Sequence, residues 1–251
     1  LLSMLSRAEY AGVAWGKMVA GVIRGVERHG PPTRAARPLE CVATVGGLIG
    51  EPRAEATSSI LASRLALAVN GDYRAVHRLD GGVEGFIASL THAPNEVASA
   101  RERMVLFPQY QDVFGGPGRP GAIDVLDAFV TSCGNAHHRS AFWRVALPQL
   151  NISPEELNDL TYGNVGGALL ARDDLSEKDR ARIAAINDRW TGVTLRHYEQ
   201  CARRDPGVIL LALSHNKADV VLKCVELGLV TELVIDADLE ASLWRRVGAA
   251  G

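Results

Sequence analysis

Ala11-Gly12-Val13-Ala14-Trp15-Gly16-Lys17-Met18-Val19-Ala20-Gly21-Val22-Ile23-Arg24-Gly25-Val26 is the stretch that decides the fold. Its first five residues form a short apolar run that stops at a glycine. From Lys17 onward the apolar side chains recur every three or four positions, which is helical spacing. Strand, glycine and helix in that order make the unit of a parallel sheet, because a crossover of helix length brings the chain back in the same direction. The unit occurs again within seventy residues. An apolar run over 39–45 breaks at Gly46-Gly47, and the spacing predicts a helix over about 54–69, stopped by Asn70-Gly71.

Working outward, 73–79 reads as a third strand and 95–113 as one helix, begun after Pro94 and closed by the loop Gly115-Gly116-Pro117-Gly118. A strand is predicted over 124–131, broken by Ser132-Cys133-Gly134, with helical segments over 140–147 and 154–160. Then come a strand over 165–170 and a charged surface helix over 176–189 with Ser176 as its N-cap. Two further units close the chain, 208–213 into 217–227 and 232–235 into 239–247. There is no internal repeat and no polar stretch long enough for a linker. The expectation is one domain over 1–251, an α/β sandwich with a mostly parallel sheet.

The 251 residues are 47% hydrophobic and 22% charged, the balance of a globular protein, which excludes disordered, collagen-like and mucin-like classes. With 27 basic against 29 acidic residues the net charge is −2, so no overall field would hold a polyanion. Cysteines at 41, 133, 201 and 224 form no C-x-x-C pair and suit neither a zinc knuckle nor a disulfide framework. They read as free thiols, and the expected location is the cytoplasm. The longest apolar runs fall far short of the roughly 18 residues a membrane span needs. Leu1-Leu2-Ser3-Met4 has neither an initiator Met nor a charged region ahead of a long apolar stretch, so it reads as the start of a trimmed chain and not as a signal peptide.

In open α/β sheets ligands sit beyond the carboxyl ends of the strands, where glycine turns let backbone N–H groups approach an anion. Four such ends stand out: Trp15-Gly16-Lys17, Gly46-Gly47-Leu48, Ser132-Cys133-Gly134-Asn135 and Ser214-His215-Asn216-Lys217. Any one glycine there is as readily a turn residue supplying positive φ. Four together, two with a lysine, favour an anion or phosphosugar pocket. No G-x-G-x-x-G follows the first strand and no G-x-x-x-x-G-K-[ST] occurs, so no nucleotide cofactor is expected. No metal site is expected either, since adjacent His137 and His138 point apart. Ser58, opening the second helix beside Ser59, is either a phosphate-binding hydroxyl or a first-turn filler. Cys133 is a nucleophile or a small half-buried thiol, and Asp236 a ligand contact or a helix cap.

Several of these stretches resemble one family. Ala11 to Ala20 is similar to the "iGvgWGrTl" opening of the sugar-binding domain of SorC-type bacterial transcriptional regulators. Cys41 to Gly50 followed by Glu51-Pro52 resembles that family's "vvqllGGlgg-xP" stretch, and Ala62-Ser63-Arg64-Leu65-Ala66 the helix behind it. Asp127 to Gly134 stands where the family has a D-x-a-l-v-G-i-G strand end, Tyr162-Gly163-Asn164-Val165-Gly166-Gly167 resembles its G-A-V-G-D turn, and Lys217 to Asp236 its closing stretch. The likeness runs in the same order through nearly the whole chain.

The resemblance implies a three-layer α/β sandwich of the pentose phosphate isomerase, glucosamine phosphate deaminase and CoA-transferase-like type. It implies an effector domain that binds a sugar or sugar phosphate, forms a dimer or tetramer through sheet-flanking helices, and reaches operator DNA only through an N-terminal helix-turn-helix. Only nine residues precede Tyr10, so that DNA-binding part is expected outside this chain. The candidate ligand residues, taken from these strand ends, are Gly16, Lys17, Gly46, Gly47, Leu48, Ser58, Ser132, Cys133, Gly134, Asn135, Gly166, Lys217 and Asp236, with Lys217 expected as the main anion contact because it stands at a strand-to-helix turn. The chain departs from the family at Met18, at Ser132-Cys133, at Ser214-His215-Asn216 in place of glycines, and at Gly167 in place of an acid. The rival reading is an aldose–ketose phosphate isomerase or amino-sugar phosphate deaminase on the same fold, with Asp236, Asp173 or Glu55 as its carboxylate base.

Overall fold

The computed structural model describes residues 1–29, 37–47, 57–79, 85, 94–135 and 152–248. The opening stretch forms β1 (Tyr10–Val13) and α2 (Lys17–His29), after a short α1 (Leu2–Leu5). β2 (Glu40–Ala43), α3 (Ser58–Asn70) and β3 (Val76–His77) follow, then α4 (Pro94–Met104) and α5 (Pro108–Phe114). The middle of the chain gives β4 (Ala128–Gly134), α6 (Pro154–Leu160), β5 (Thr161–Val165), β6 (Ala168–Ala171) and α7 (Glu177–Asn187). The last part holds α8 (Leu195–Ala202), β7 (Gly207–Ala212), α9 (Ala218–Glu226), β8 (Glu232–Ile235) and α10 (Ala237–Gly248).

Six strands pair in parallel in the order β3-β2-β1-β4-β7-β8. Strands β1 to β3 step one way and β4, β7 and β8 the other. Right-handed crossovers therefore put α2 and α3 on one face and α8 and α9 on the opposite one, which makes the three layers. β7 lies between two parallel neighbours, and Val208 to Ala212 are at most 1% exposed, as an unbroken apolar run should be. Phe129 of β4 stacks on Tyr198 of α8 at 4.6 Å between centroids. That pair and the small residues Ala11, Ala62 and Ala128 sit in the main core.

Four expectations are corrected. The helix over 95–113 is two helices, because Pro108 has no N–H to continue the first one and instead occupies the opening turn of α5. Residues 122–125 form a 3₁₀ turn held by Gly121 N–H on Asp124 Oδ2, so the strand starts at Ala128 and not at 124. Ser132-Cys133-Gly134 does not break that strand: Cys133 and Gly134 pair antiparallel with Val165 and Asn164 of β5. The run 165–170 is a hairpin, not one strand, since Gly166 and Gly167 at φ +56° and +112° turn β5 back into β6. α8 had no counterpart in the sequence reading, although Thr194 and His197 close its first turn through the bond from Thr194 N–H to His197 Nδ1. The segment 140–147 lies outside the described residues.

Candidate functional site

The strand order reverses between β1 and β4, so the carboxyl ends of these two strands mark the place where an α/β sheet opens a crevice. The carbonyls of Val130 and Ser132 point the same way from β4. Ala14 N–H of the departing β1 takes the first at 2.9 Å, and Gly166 N–H of the hairpin takes the second at 3.0 Å. The β5–β6 hairpin thus occupies the lane that β1 vacates, and the end of β4 lies against the loop leading from β7 to α9.

That loop is built with care. Ser214 stands at φ +79° and ψ +138°, the one positive-φ residue other than glycine among the described residues. Both carboxylate oxygens of Asp236 accept its N–H at 3.1 Å, while Asp236 Oδ1 also accepts Leu239 N–H at 3.0 Å and so caps α10. His215 is tied to Asp238 by its own N–H at 3.0 Å and its ring at 2.9 Å. Asn135, 6% exposed at the end of β4, donates from Nδ2 to Asn216 O at 2.6 Å and joins the two strand ends. Lys217 follows, half-buried, where α9 begins. Burial pushes the Cys133 thiol up to about 11, opposed by the charge of Lys217, which places the ammonium's field on the end of β4. At neutral pH Cys133 is a thiol and no nucleophile.

The structure therefore brings Ser132, Cys133, Gly134, Asn135 and Lys217 together. Gly16 and Lys17 lie on the neighbouring strand end, where Gly16 O accepts Ala20 N–H and Lys17 is an exposed first-turn residue of α2. The remaining expected residues have structural duties. Ser58, 1% exposed, accepts Thr44 N–H at 2.7 Å and donates to Val13 O at 2.5 Å, stitching β2 to β1. Gly46 is buried, and Gly47 O accepts Gly85 N–H at 2.7 Å. A Cβ on Gly166 would lie 2.0 Å from the Tyr198 hydroxyl, so that glycine is required by packing. Asp236 is the cap and clamp described above. Leu48 and Glu55 lie outside the described residues, as do His137 and His138.

Around the same strand ends a second apolar cluster packs Trp15, Val45, Leu157, Leu169, Ile183 and Trp190. The rings of Trp15 and Trp190 are 6.5 Å apart, and Gly167 admits Trp190 because a Cβ there would lie 2.1 Å from the indole. The hairpin is also latched to α9. Lys223 Nζ donates to Asp173 Oδ1 at 2.6 Å and to Glu226 Oε1 at 3.0 Å, Tyr162 Oη donates to Asp173 Oδ2 at 2.9 Å, and Lys223 Nζ stands 5.6 Å from the Tyr162 ring centre. Sequence reasoning missed this latch, because Lys223 reads as an ordinary helix-surface lysine and its partners lie on another element.

Topology and site together define an α/β domain with a doubly wound parallel core, a hairpin beside its switch point and a lysine at the opening of α9. No family model and no curated protein sequence matches the chain. Solved structures do match in fold. The full-length sorbitol operon regulator SorC from Klebsiella pneumoniae superposes with a TM-score of 0.67 at 12% identity, over 94% of this chain and 66% of that one. A domain named for sugar binding in a transcriptional repressor from Vibrio fischeri gives 0.66 at 14%, over 98% and 85%. A DeoR family transcriptional regulator from Listeria monocytogenes gives 0.60 at 14%, over 96% and 81%. The chain thus has the fold of the sugar-binding domains of SorC- and DeoR-type regulators, and it spans less than two thirds of full-length SorC. Among the described residues no helix is long and apolar enough to cross a membrane.

Proposed function

We propose that this chain is a cytoplasmic, non-enzymatic effector domain of a bacterial transcriptional regulator, binding a sugar or sugar phosphate in the crevice between β4 and the β7–α9 loop. The observation that carries the reading is Lys217. Its ammonium stands at the opening of α9, beside the end of β4, and a cation there opposes the positive end of the helix dipole unless an anion answers it. A phosphate bound at this point meets the ammonium, while the N–H groups of His215, Lys217 and Ala218 are taken up by Asp238 Oδ2, Ser214 O and His215 O. Ligand then favours one arrangement of an oligomer, and DNA-binding domains joined to the chain respond to that shift.

The enzymatic alternative needs a free carboxylate over the sugar. Two of its candidates are engaged elsewhere, Asp236 with Ser214 and Leu239, and Asp173 with Lys223 and Tyr162. A thermal-shift screen of sugars, sugar phosphates and polyols tests the reading, since a ligand at a hundred times its Kd stabilises by about 2.7 kcal/mol. The expected result is a rise in melting temperature with a sugar phosphate and no turnover of it. Isomerisation or deamination of that ligand by the chain would overturn the proposal.

A further inference from the structure

The loop from β7 to α9 is held in a shape that its own residues do not favour. Ser214, at φ +79° and ψ +138°, lies outside even the left-handed helical region, in backbone space that glycine enters readily and a residue with a Cβ does not. Its hydroxyl caps nothing in the turn that follows. The hold comes instead from the N-cap and first turns of α10. Both carboxylate oxygens of Asp236 accept the Ser214 N–H, Asp238 Oδ2 accepts the N–H of His215, and the Ser242 hydroxyl donates to His215 O at 3.4 Å.

This shape sets the place of Lys217. Ser214 O accepts the Lys217 N–H at 3.2 Å and closes one 3₁₀ turn, while Asn135 Nδ2 holds Asn216 O against the end of β4. Because φ is a rotation about the N–Cα bond, a change of its sign at Ser214 with β7 fixed redirects the chain that follows, Lys217 included.

We infer that Asp236 is a positioning residue of the proposed anion site: it holds Ser214 at positive φ and so keeps the Lys217 ammonium beside the end of β4. The inference rests on the reading of Lys217 as the anion contact and deepens it. Glycine would take this conformation with no carboxylate to hold it. Serine takes it while a carboxylate grips its N–H, which makes the loop a two-state element decided from α10. Asp236 Oδ1 also caps α10 through Leu239 N–H, so the test separates the cap from the grip.

Hydrogen exchange over the loop reads the grip without any ligand. The amides of His215 and Lys217 are bonded to Asp238 and to Ser214 O, and neither is bonded to Asp236. Asp236→Ala should speed their exchange by about tenfold or more, as release of a strained backbone implies, and adding Ser214→Gly should return them most of the way to the parent rate. Fraying of an uncapped α10 would act alike with serine or glycine at 214. Equal acceleration in the two backgrounds, or none with serine, would therefore overturn the inference and leave Asp236 a cap alone. Asp236→Asn keeps one oxygen for the cap and should show the same order at smaller amplitude, which serves should the alanine variant not fold. Binding of inorganic phosphate, read by calorimetric titration, should weaken about tenfold in Asp236→Ala and recover with glycine at 214. The same exchange pattern in a parent that binds neither phosphate nor any sugar phosphate would sink the sensor reading and leave the grip on the loop standing.

Discussion

The carboxyl ends of β1 and β2 and those of β4 and β7 carry the same sequence signature, an apolar run followed by a turn and a helix, and they meet opposite fates. At β1 and β2 the hairpin and α7 close over the strand ends. Trp15 and Val45 are sealed against Trp190 and Ile183, and Ser58 gives its hydroxyl to Val13. At β4 and β7 Lys217 stays half-exposed and Ser214 is held at positive φ. The pattern of strand and turn is the same at both pairs of ends, but the elements packed over them decide which ends are sealed and which keep an exposed polar group.

The comparison breaks most visibly at Trp190. Trp190→Ala should cost about 3–5 kcal/mol, since it empties the space against Gly167 and Trp15 and leaves the hairpin unsupported. A melting temperature lowered by roughly 10 °C or more is the expected outcome. At the other pair of strand ends Lys217→Ala should leave the unliganded melting temperature within a degree or two. Affinity for the best sugar phosphate should fall about ten- to a hundredfold, the usual worth of a charged hydrogen bond, as read by calorimetric titration. Unchanged affinity would move the anion site elsewhere.

Ser58→Ala sharpens the contrast from the closed side. It strips the partner from Thr44 N–H and one of two donors from Val13 C=O, which keeps Thr44 Oγ1, and should destabilise by about 1–3 kcal/mol in urea, with ligand affinity unaltered. Ser214→Gly acts on the open side and should stabilise by about 1 kcal/mol, because glycine adopts φ +79° without a Cβ clash. If stability falls instead, the serine side chain has a role that its backbone does not reveal.

The smallest effect lies away from both pairs of ends, at edge strand β3. Burial of His77 opposes its protonation, yet the ring donates to Asp112 Oδ2 at 2.6 Å and Glu40 Oε2 at 2.8 Å, and these carboxylates hold its pKa above the ordinary value of 6.5. A raised folded-state pKa gives a contribution that is complete below about pH 6.5 and is lost as pH rises through the folded value. The parent should therefore lose a little stability between pH 6 and 9. His77→Gln should lack that part of the slope, which urea midpoints at both pH values will show.

The parallel strands were legible where a short apolar run ends at a turn, and β7, the most apolar, was placed within one residue. The hairpin was not. Val165 to Leu170 looks like one apolar strand when read by hydropathy, and only the positive φ of Gly166 and Gly167 turns it into two. Of the candidate residues, Ser132 to Asn135 and Lys217 come together at neighbouring strand ends, as their sequence positions suggested, whereas Ser58, Gly166 and Asp236 are engaged by partners distant in the chain.

What the sequence determined by itself is local: the alternation of strand and helix, the stops at glycine and proline, and the cation placed after β7. Those features depend on neighbours within a few residues, through backbone sterics and the helical repeat. What the tertiary structure alone decided is which polar groups are satisfied within the chain. Ser58 finds its acceptor 45 residues away and Asp236 its donor 22 residues away, while Asn135 crosses 81 residues to Asn216. A buried hydroxyl or carboxylate must be satisfied by whatever the fold brings beside it, and that partner has no mark in the local sequence.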